Sequence, residues 1–419
     1  MSTILRLEDC TYNQNSVEDD LVNRIFIFNT EYGTINVCNI LQTIKIPYTL
    51  ETSLIKKILL PHLGSGIVNG SDVKIIHNKP VVMAYSAPLK LYLDITSYCS
   101  LNCSFCLSSS GSGNQCVHLP MSVILKVADE IEKLGIMYVK IGGGDPFLHP
   151  NFTDVITLLH SKGAYITIST NSVSIKQEAI RLLKKTNVRV SVSIEGMRDF
   201  NDSVRGCGHF DKAVNVLKEM KKSNINVLLR TTLLRHNLRD VPELVEFAKE
   251  MGVKIKFSYC RPAGRAVENK SMLEPIDAKN YLNVLNYLND SNVLPYVILD
   301  EGMVYNQPPE MGTKLLNGRM CGAANRSMHI NTNQGVSPCV FLGSDFTSGK
   351  IYVDGTIRNF WRGEANDIFD TVRNIKQPQE CASCDRLCKN ECPASRLFFW
   401  GQFDRQDPNC LHEVIKNSV

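Results

Sequence analysis

Between Leu89 and Tyr259, short apolar segments alternate with amphipathic ones, and this alternation limits the fold more than any other feature of the sequence. Parallel strands need long crossover connections, which are usually helices, so a regular strand–helix repeat predicts a parallel sheet. The predicted strands cover residues 89–95, 137–142, 164–169, 188–194, 225–231 and 253–259. Helices are predicted from Pro120 to Gly135 and from Asp240 to Gly252, among others. Six repeats predict an α/β fold in which the sheet curls into a partial barrel.

Three cysteines follow the first predicted strand, in the order Cys99-Ser-Leu-Asn-Cys103-Ser-Phe-Cys106. A [4Fe–4S] cluster normally takes four cysteines, so three thiolates on one loop leave one iron open to a small molecule. The alternatives are a zinc loop or three unrelated free thiols. Because the loop follows a strand directly, it lies at the carboxyl end of the sheet, where α/β barrels carry their chemistry.

Composition narrows the classes of protein that need to be considered. Fifteen cysteines in 419 residues point to metal ligation before disulfides if the compartment is reducing. The first ten residues carry acidic groups and no signal-peptide core, and no run of 18 apolar residues occurs. A net charge of +4 gives no case for a nucleic-acid partner. We therefore expect a cytoplasmic protein that binds neither nucleic acid nor membrane.

A second group of cysteines occupies the last hundred residues: Cys321, Cys339, Cys381, Cys384, Cys388, Cys392 and Cys410. The run from Cys381 to Pro393 is close to the bacterial ferredoxin pattern, in which the fourth cysteine ligates a different cluster from the first three. By that logic Cys381, Cys384 and Cys388 hold one cluster and Cys392 reaches another. Structural zinc is the competing interpretation.

Polar residues and glycines follow the other predicted strands, where the chain reaches the same edge of the sheet. Strand two runs into Gly142-Gly143-Gly144-Asp145-Pro146, strand three ends near Asn171, strand four at Ser193 and Glu195, and strand five at Arg230. Glycine lets a backbone approach a ligand closely, and a carboxylate can accept hydrogen bonds from a cation. Polar residues at strand ends are common in any α/β fold, so the prediction of a ligand-binding site depends on these residues lying together at one edge of the sheet.

The Cys-x3-Cys-x2-Cys loop, with Phe105 before its last cysteine, and the Gly-Gly-Gly-Asp-Pro segment resemble the motifs of radical S-adenosyl-L-methionine (radical SAM) enzymes. The C-terminal cysteines resemble the SPASM domain, which carries two auxiliary [4Fe–4S] clusters, so three clusters are expected. Two features depart from the family pattern. Asp145 replaces a glutamate, and the interval from Cys384 to Cys388 is x3 where x5 is usual.

The resemblance implies a role for each site residue. Cys99, Cys103 and Cys106 would hold the catalytic cluster, whose open iron binds SAM. The residues implied in SAM binding are Phe105, Gly143, Gly144, Asp145, Asn171, Ser193, Glu195 and Arg230. Asp145 would bind the methionine ammonium, and Arg230 a carboxylate. The segment Arg261–Arg265 is similar to the one that lines the adenine. In the auxiliary sites, Cys410 would complete the set of Cys381, Cys384 and Cys388, while Cys321 and Cys339 would join Cys392, with a fourth ligand left open.

Two further cysteines, Cys207 and Cys260, are predicted near the same edge. Each could donate a hydrogen atom to a substrate radical, or could simply be a small buried hydrophobic side chain. Cys207 lies in Arg205-Gly-Cys-Gly-His209, which resembles a turn found in the same subgroup of radical SAM enzymes.

The first 85 residues contain none of the clustered cysteines. Residues 24–29 and 34–37 predict a β-hairpin, residues 54–59 a short helix, and residues 73–76 a further strand. This module resembles the winged-helix-like RiPP recognition element, in which a leader peptide adds a strand to a sheet edge. A lid over the barrel is the alternative.

The fold class expected is therefore α/β: a partial (β/α)6 TIM-like barrel at residues 86–305, after a recognition domain at 1–85 and before a SPASM domain at 306–419. The resemblance implies reductive cleavage of SAM to a 5′-deoxyadenosyl radical, which abstracts hydrogen from a ribosomal precursor peptide. A thioether, a carbon–carbon crosslink or a related modification would follow. The partners expected are that peptide, through its leader, and an electron donor such as flavodoxin or ferredoxin. The alternatives are a sulfatase-maturase-like enzyme and a nonenzymatic zinc-binding regulator.

Overall fold

A computed structural model of the protein describes the four N-terminal strands given below and most of the chain from Ala84 onward. The described ranges after the N-terminal strands are 84–111, 113, 115–171, 175–274, 278–288, 290–299, 321–376, 378–381, 392–408 and 410. In this part of the chain, no helix is both long and apolar enough to cross a membrane.

The N-terminal segment contains a four-stranded sheet. Its strands are β1 (Ser2–Cys10), β2 (Val22–Asn29), β3 (Thr34–Asn39) and β4 (Asp72–His77), in the order β3-β2-β1-β4. β2 and β3 pair antiparallel, which confirms the predicted hairpin, and β4 confirms the predicted strand at 73–76. β1 was not predicted, and it pairs with both β2 and β4. The helix predicted at 54–59 lies outside the described residues.

The central sheet confirms all six strands predicted from the alternating pattern. They are β5 (Lys90–Thr96), β6 (Tyr138–Gly143), β7 (Tyr165–Thr170), β8 (Arg189–Ser193), β9 (Val227–Leu233) and β10 (Ile255–Tyr259). Each pairs parallel with the next in chain order, and β11 (Val297–Leu299) adds a further parallel strand beside β10. This is an α/β fold with a parallel sheet, consistent with a partial barrel.

Helices connect these strands and bury their apolar faces on the sheet. They are α1 (Met121–Leu134), α2 (Phe152–Ser161), α3 (Gln177–Thr186), α4 (Arg198–Arg205), α5 (His209–Lys222), α6 (Val241–Glu250), α7 (Arg265–Glu268) and α8 (Ala278–Leu288). In α1 the predicted stripe, which includes Ile124, Val127 and Ile131, is buried. Each such side chain contributes about 1.5–3 kcal/mol. α1 and α6 end within two residues of the predicted glycines.

The C-terminal segment extends the same sheet at its other edge. β12 (Ser327–Ile330) pairs parallel with β5, and β13 (Gly335–Ser337) and β14 (Gly349–Lys350) follow antiparallel. Three short helices come next: α9 (Ile357–Trp361), α10 (Ile368–Arg373) and α11 (Pro393–Trp400). The indole of Trp361 is fully buried and donates to the carbonyl of Tyr85 (2.6 Å). β5, the strand that leads into the cysteine loop, lies between β6 and β12 and is therefore an interior strand of the sheet.

Candidate active site

The loop after β5 brings the three predicted ligand cysteines together. Cys99 and Cys103 are buried and Cys106 is partly exposed. The amide of Cys106 donates to the carbonyl of Cys103 (3.3 Å), which tightens the loop. Burial raises the pKa of the Cys103 thiol, Arg205 opposes this rise, and the neighbouring Cys106 adds to it. Burial also raises the pKa of Cys99, and Cys103 adds a smaller contribution. The three sulfur atoms therefore share one electrostatic environment.

The segment after β10 clamps this loop through backbone contacts. The amide of Arg265 donates to the carbonyl of Cys106 (2.9 Å), and its Nε donates to the carbonyl of Cys103 (2.8 Å). Gly264 has φ +56°, and a Cβ there would lie well under 3.0 Å from the carbonyl oxygens of Cys106 and Leu107. The family resemblance implied that this segment lines the adenine of SAM. Nothing in the sequence indicated its contact with the cysteine loop.

The glycine run after β6 lies against the beginning of the same loop. The amide of Gly144 donates to the carbonyl of Thr96 (2.6 Å), and the amide of Asp145 donates to that of Tyr98 (2.8 Å). A Cβ at Gly143 or Gly144 would overlap these two carbonyl groups, and Gly143 also has φ +103°. Only glycine permits so close an approach of two backbones.

The Asp145 carboxylate is buried and engaged with the protein. It accepts hydrogen bonds from the amides of Phe147 and Asn171 (3.1 Å each) and from the Thr170 hydroxyl (2.8 Å). Burial raises the pKa of Asp145 to about 6 despite these hydrogen bonds. The carboxylate thus joins the exits of β6 and β7. Its predicted contact with the methionine ammonium stays a prediction.

Asn171 links the exit of β7 to the cysteine loop. Its Nδ2 donates to Cys99 Sγ (3.1 Å), and its carbonyl lies 2.9 Å from Nε2 of His209. His209 is buried, and this burial lowers its pKa to about 4, so the ring is neutral at physiological pH. Its Nδ1 lies 3.0 Å from Nδ2 of Asn201, whose Oδ1 accepts from the amide of Glu195 (3.1 Å). A neutral hydrogen-bond chain therefore supports the Cys99 thiol.

Glu195 and Arg205 form a buried ion pair beside the loop. The amide of Thr232 also donates to Glu195. The guanidinium of Arg205 lies 3.9 Å from Cys103 Sγ, and its Cζ is 5.6 Å from the centre of the Phe105 ring. Burial tends to lower the pKa of Arg205, but the charges of Glu195 and Cys103 raise it overall. Arg205 is thus a fixed positive charge next to the thiolates. The sequence pattern marked it only as part of a turn.

Removing Glu195 should cost far more stability than removing an exposed ion-pair partner. Glu195→Ala leaves the Arg205 charge buried without its carboxylate, which costs about 3–5 kcal/mol. For a chain of 419 residues, the melting temperature should fall by about 3–6 °C. The matched control is Asp211→Ala, which breaks the exposed pair of Arg198 and Asp211 and should cost about 0–1 kcal/mol. Thermal unfolding followed by circular dichroism compares the two; equal shifts would contradict the buried-pair interpretation.

The remaining predicted SAM contacts lie on the neighbouring strands. Ser193 on β8 pairs in register with Arg230 on β9, and both side chains are partly exposed. Nη1 of Arg230 lies 3.4 Å from the Ser169 hydroxyl at the end of β7. Phe105 is buried beneath Arg205. Ser193 is the last residue of β8, as predicted, whereas Arg230 lies in the middle of β9 because that strand continues to Leu233, beyond the predicted end.

Among the C-terminal cysteines, Cys339 interacts electrostatically with Cys321 and Cys392. Burial raises the pKa of Cys339, and the nearby Cys321 and Cys392 raise it further. Cys381 ends a short 3-10 turn, and the amide of Cys410 donates to the carbonyl of Asp407 (2.9 Å). The predicted ligands Cys384 and Cys388 lie outside the described residues.

The two candidate hydrogen donors have different environments. Cys207 is exposed, whereas Cys260 is partly buried. Burial raises the pKa of Cys260 to about 12, and Glu195 adds to the rise, so this thiol is neutral at physiological pH.

The donor set around the loop fits an iron–sulfur cluster. Within the described ranges, no three His, Cys, Asp or Glu side chains converge as they would around one metal ion. In a [4Fe–4S] cluster, by contrast, each thiolate ligates a different iron. Asn171 and Arg205 direct N–H groups at two of the three sulfur atoms, and hydrogen bonds of this kind tune such clusters. The residues around the loop therefore suit an iron–sulfur cluster.

Comparison with known proteins agrees with this chemistry. Residues 93–248 match the family model of the Radical SAM superfamily. The chain is 28% identical over 331 residues to the mycofactocin maturase MftC of Mycobacterium tuberculosis, covering 78% of this chain and 83% of MftC. It is 23% identical over 345 residues to the PqqA peptide cyclase of Ruegeria pomeroyi, covering 80% and 91%.

A solved structure gives a similar result. The crystal structure of Streptococcus suis SuiB bound to precursor peptide SuiA superposes with a TM-score of 0.69 at 16% identity, covering 93% of this chain and 95% of SuiB. At that identity the likeness shows the fold alone. With the matched family model and the maturase relatives, the conclusion is that the chain is an enzyme with a radical SAM domain at residues 93–248.

Proposed function

We propose that this enzyme is a peptide maturase, which abstracts hydrogen from a ribosomally made precursor peptide to form a thioether or carbon–carbon crosslink or a related modification. The observation that carries this proposal is the similarity over about four fifths of the chain to MftC and the PqqA peptide cyclase, one named a maturase and the other a peptide cyclase. The hydrogen-bonded cysteine loop supplies the chemical basis for the radical step.

The bound cofactors, SAM and a [4Fe–4S] cluster, supply a 5′-deoxyadenosyl radical. The protein's contribution is to hold and orient them. Cys99, Cys103 and Cys106 would hold the cluster, and Arg205 would offset the negative charge of the thiolates. The glycine run permits a close backbone approach, and Ser193 and Arg230 provide polar contacts for SAM. Enclosing the site in the barrel keeps water away from the reactive carbon.

We assign residues 1–85 to leader-peptide recognition, in a winged-helix-like domain. The match to peptide-bound SuiB covers 93% of the chain, whereas residues 84–419 make up only about four fifths of it, so the similarity in fold extends into the N-terminal segment. Within its described strands, β3 pairs only with β2. An edge strand of this kind is where an extended peptide adds to a sheet.

We assign residues 86–305 to a partial (β/α)6 barrel and 306–419 to a SPASM domain with two auxiliary clusters. The electrostatic effect of Cys321 and Cys392 on Cys339 supports their assignment to one cluster. Cys381, Cys384, Cys388 and Cys410 are assigned to the other. These clusters would take up the electron that remains after the substrate is oxidised, while flavodoxin or ferredoxin supplies the electron that starts the reaction.

Deleting residues 1–80 should separate peptide recognition from SAM cleavage. We expect the truncated enzyme to keep most of its unproductive SAM cleavage and to lose at least about tenfold in affinity for the leader, about 1.4 kcal/mol. The probe is a fluorescent copy of the leader of the short peptide encoded beside the gene, measured by anisotropy. Equal affinity with and without the segment would contradict the recognition assignment.

Anaerobic purification tests the proposal as a whole. A peptide maturase should be brown, contain iron and sulfide, and release 5′-deoxyadenosine from SAM when reduced. A colourless, zinc-loaded protein that leaves SAM intact would favour the nonenzymatic regulator instead. Modification of a sulfatase peptide, with no use of residues 1–80, would favour the sulfatase-maturase-like alternative.

A further inference from the structure

A buried arginine lies among the C-terminal cysteines. Arg396 is on α11, which begins directly after Cys392, and its side chain is 0% exposed. Its Nε, Nη1 and Nη2 atoms all lack a hydrogen-bond partner in the part of the chain that the structure describes. Five potential N–H donors on a buried cation are therefore without a described acceptor.

Another buried arginine in the same segment shows how this chain normally satisfies such a group. Arg373 donates from Nε to the carbonyl of Ala324 (2.9 Å) and from Nη1 to Asp370 (2.8 Å), and its Nη2 bonds to the carbonyl of Trp361. Buried charges are rarely tolerated without such pairing, because desolvation is not repaid. The contrast indicates that the acceptors for Arg396 lie outside the described residues, as those of a bound group would.

The surroundings of Arg396 identify the chemistry of that group. The amide of Arg396 donates to the carbonyl of Cys392 (3.2 Å), which places Arg396 one helical turn after that cysteine. Burial lowers the pKa of Arg396, and the carboxylate of Asp407 and the thiols of Cys381, Cys321 and Cys392 oppose this shift. Cys381 belongs to one proposed cluster, whereas Cys321 and Cys392 belong to the other. Iron–sulfur clusters bound by thiolates are anionic, and their sulfur atoms accept hydrogen bonds from nearby donors.

We propose that Arg396 is the counter-charge of the auxiliary clusters, donating hydrogen bonds to their sulfur atoms and favouring their reduced state. The proposal rests on the C-terminal clusters of the proposed function. A fixed positive donor stabilises the extra electron of a reduced cluster, so it raises the reduction potential. Arg396 is thus a positioning and tuning residue, placed to help the auxiliary clusters accept an electron from the substrate.

The test measures the potentials of the auxiliary clusters in the full-length, reconstituted protein. Replacing Cys99, Cys103 and Cys106 by alanine first removes the signal of the catalytic cluster. In this background, Arg396→Met should shift the reduction equilibrium of at least one auxiliary cluster tenfold or more towards the oxidised form, about 59 mV for a one-electron couple. Arg396→Lys, which keeps the charge, should shift it less. Arg405→Met, an exposed arginine over Trp400, should leave it unchanged.

A second measurement separates tuning from a purely structural role. In the metal-free protein, Arg396→Met should unfold at the same temperature as the unchanged chain or higher, since it removes an uncompensated buried charge. In the cluster-loaded protein it should unfold at a lower temperature. Cluster loss from a variant whose metal-free form is fully stable also supports the proposal. Equal destabilisation of both forms, as expected if Arg396 only pairs with Asp407, would overturn it.

The outcomes also separate this inference from the proposed function. If the chain without Cys99, Cys103 and Cys106 contains no iron–sulfur cluster after reconstitution, the C-terminal cluster assignment itself fails. If clusters form and Arg396→Met leaves their potentials unchanged, only the role of Arg396 is rejected. Neither readout depends on the peptide substrate.

Discussion

Cys103→Ala should abolish the formation of 5′-deoxyadenosine from SAM. Cys103 is the middle cysteine of the loop, buried between Cys99 and Cys106 and facing the Arg205 guanidinium. Loss of its thiolate opens a second iron and leaves the Arg205 charge without that counter-charge. Removing a residue that only hydrogen-bonds a metal ligand already costs about 10–100-fold in metal affinity or activity. Removing the ligand Cys103 itself should therefore lower the rate of SAM cleavage below about one hundredth of wild type. The measurement is chromatography of 5′-deoxyadenosine after reduction with dithionite.

Cys116→Ala is the matched control for this experiment. Cys116 is an exposed cysteine close in sequence to the loop and outside the predicted ligand set. Its replacement should leave SAM cleavage and iron content unchanged, whereas Cys103→Ala should lose about four irons per chain. SAM cleavage retained in Cys103→Ala would reject the loop as the site of the catalytic cluster, whatever the state of the auxiliary clusters.

The parts of the fold that were predicted are those with a local signal. Each strand from β5 to β10 is a short apolar run, and each connecting helix has a stripe at the helical period, so both could be located without knowing their neighbours. β12, β13 and β14 have between two and four residues each, too short for a periodic pattern. β12 pairs with the distant strand β5, which no local pattern indicates, and β13 and β14 pair in turn with β12 and β13.

The candidate site also divides into residues that have a local sequence signal and residues that are positioned by long-range contacts. The cysteines were recognisable from their spacing, but the groups that support them come from far along the chain. Arg265 contacts the carbonyl of Cys103 across 162 positions, and Asn171 reaches Cys99 across 72. Two signals were nevertheless available. Arg205 opens a glycine-rich turn, and Arg396 interrupts the otherwise largely apolar helix Pro393–Trp400, where a lone charge is unusual unless a partner is present.

Gly264→Ala tests whether the clamp on the cysteine loop matters for catalysis. A methyl group at this position would overlap the carbonyl oxygens of Cys106 and Leu107, so either the loop or the segment after β10 must move. Displacing a reactive group by about 1 Å can cost about 10²-fold in rate. We therefore expect 5′-deoxyadenosine formation to fall by about that factor, together with weaker retention of the catalytic cluster, measured as iron content after gel filtration.

Gly208→Ala distinguishes a displaced loop from ordinary backbone strain. Gly208 also has a positive φ, +73°, but a Cβ there would meet nothing within 4 Å. Gly208 lies in the left-handed α region, where alanine costs about 1–2 kcal/mol. Gly264, with ψ −141°, has a backbone conformation that is largely confined to glycine, so Gly264→Ala adds both a larger strain and the overlap with the loop. The melting temperature of Gly208→Ala should therefore fall modestly while its SAM cleavage stays close to wild type. If the two variants lose activity equally, backbone strain explains the loss and the contact between Gly264 and the cysteine loop does not. If only Gly264→Ala loses activity, the backbone of Gly264 and its contact with the loop carbonyls together control how the thiolates are presented to the cluster.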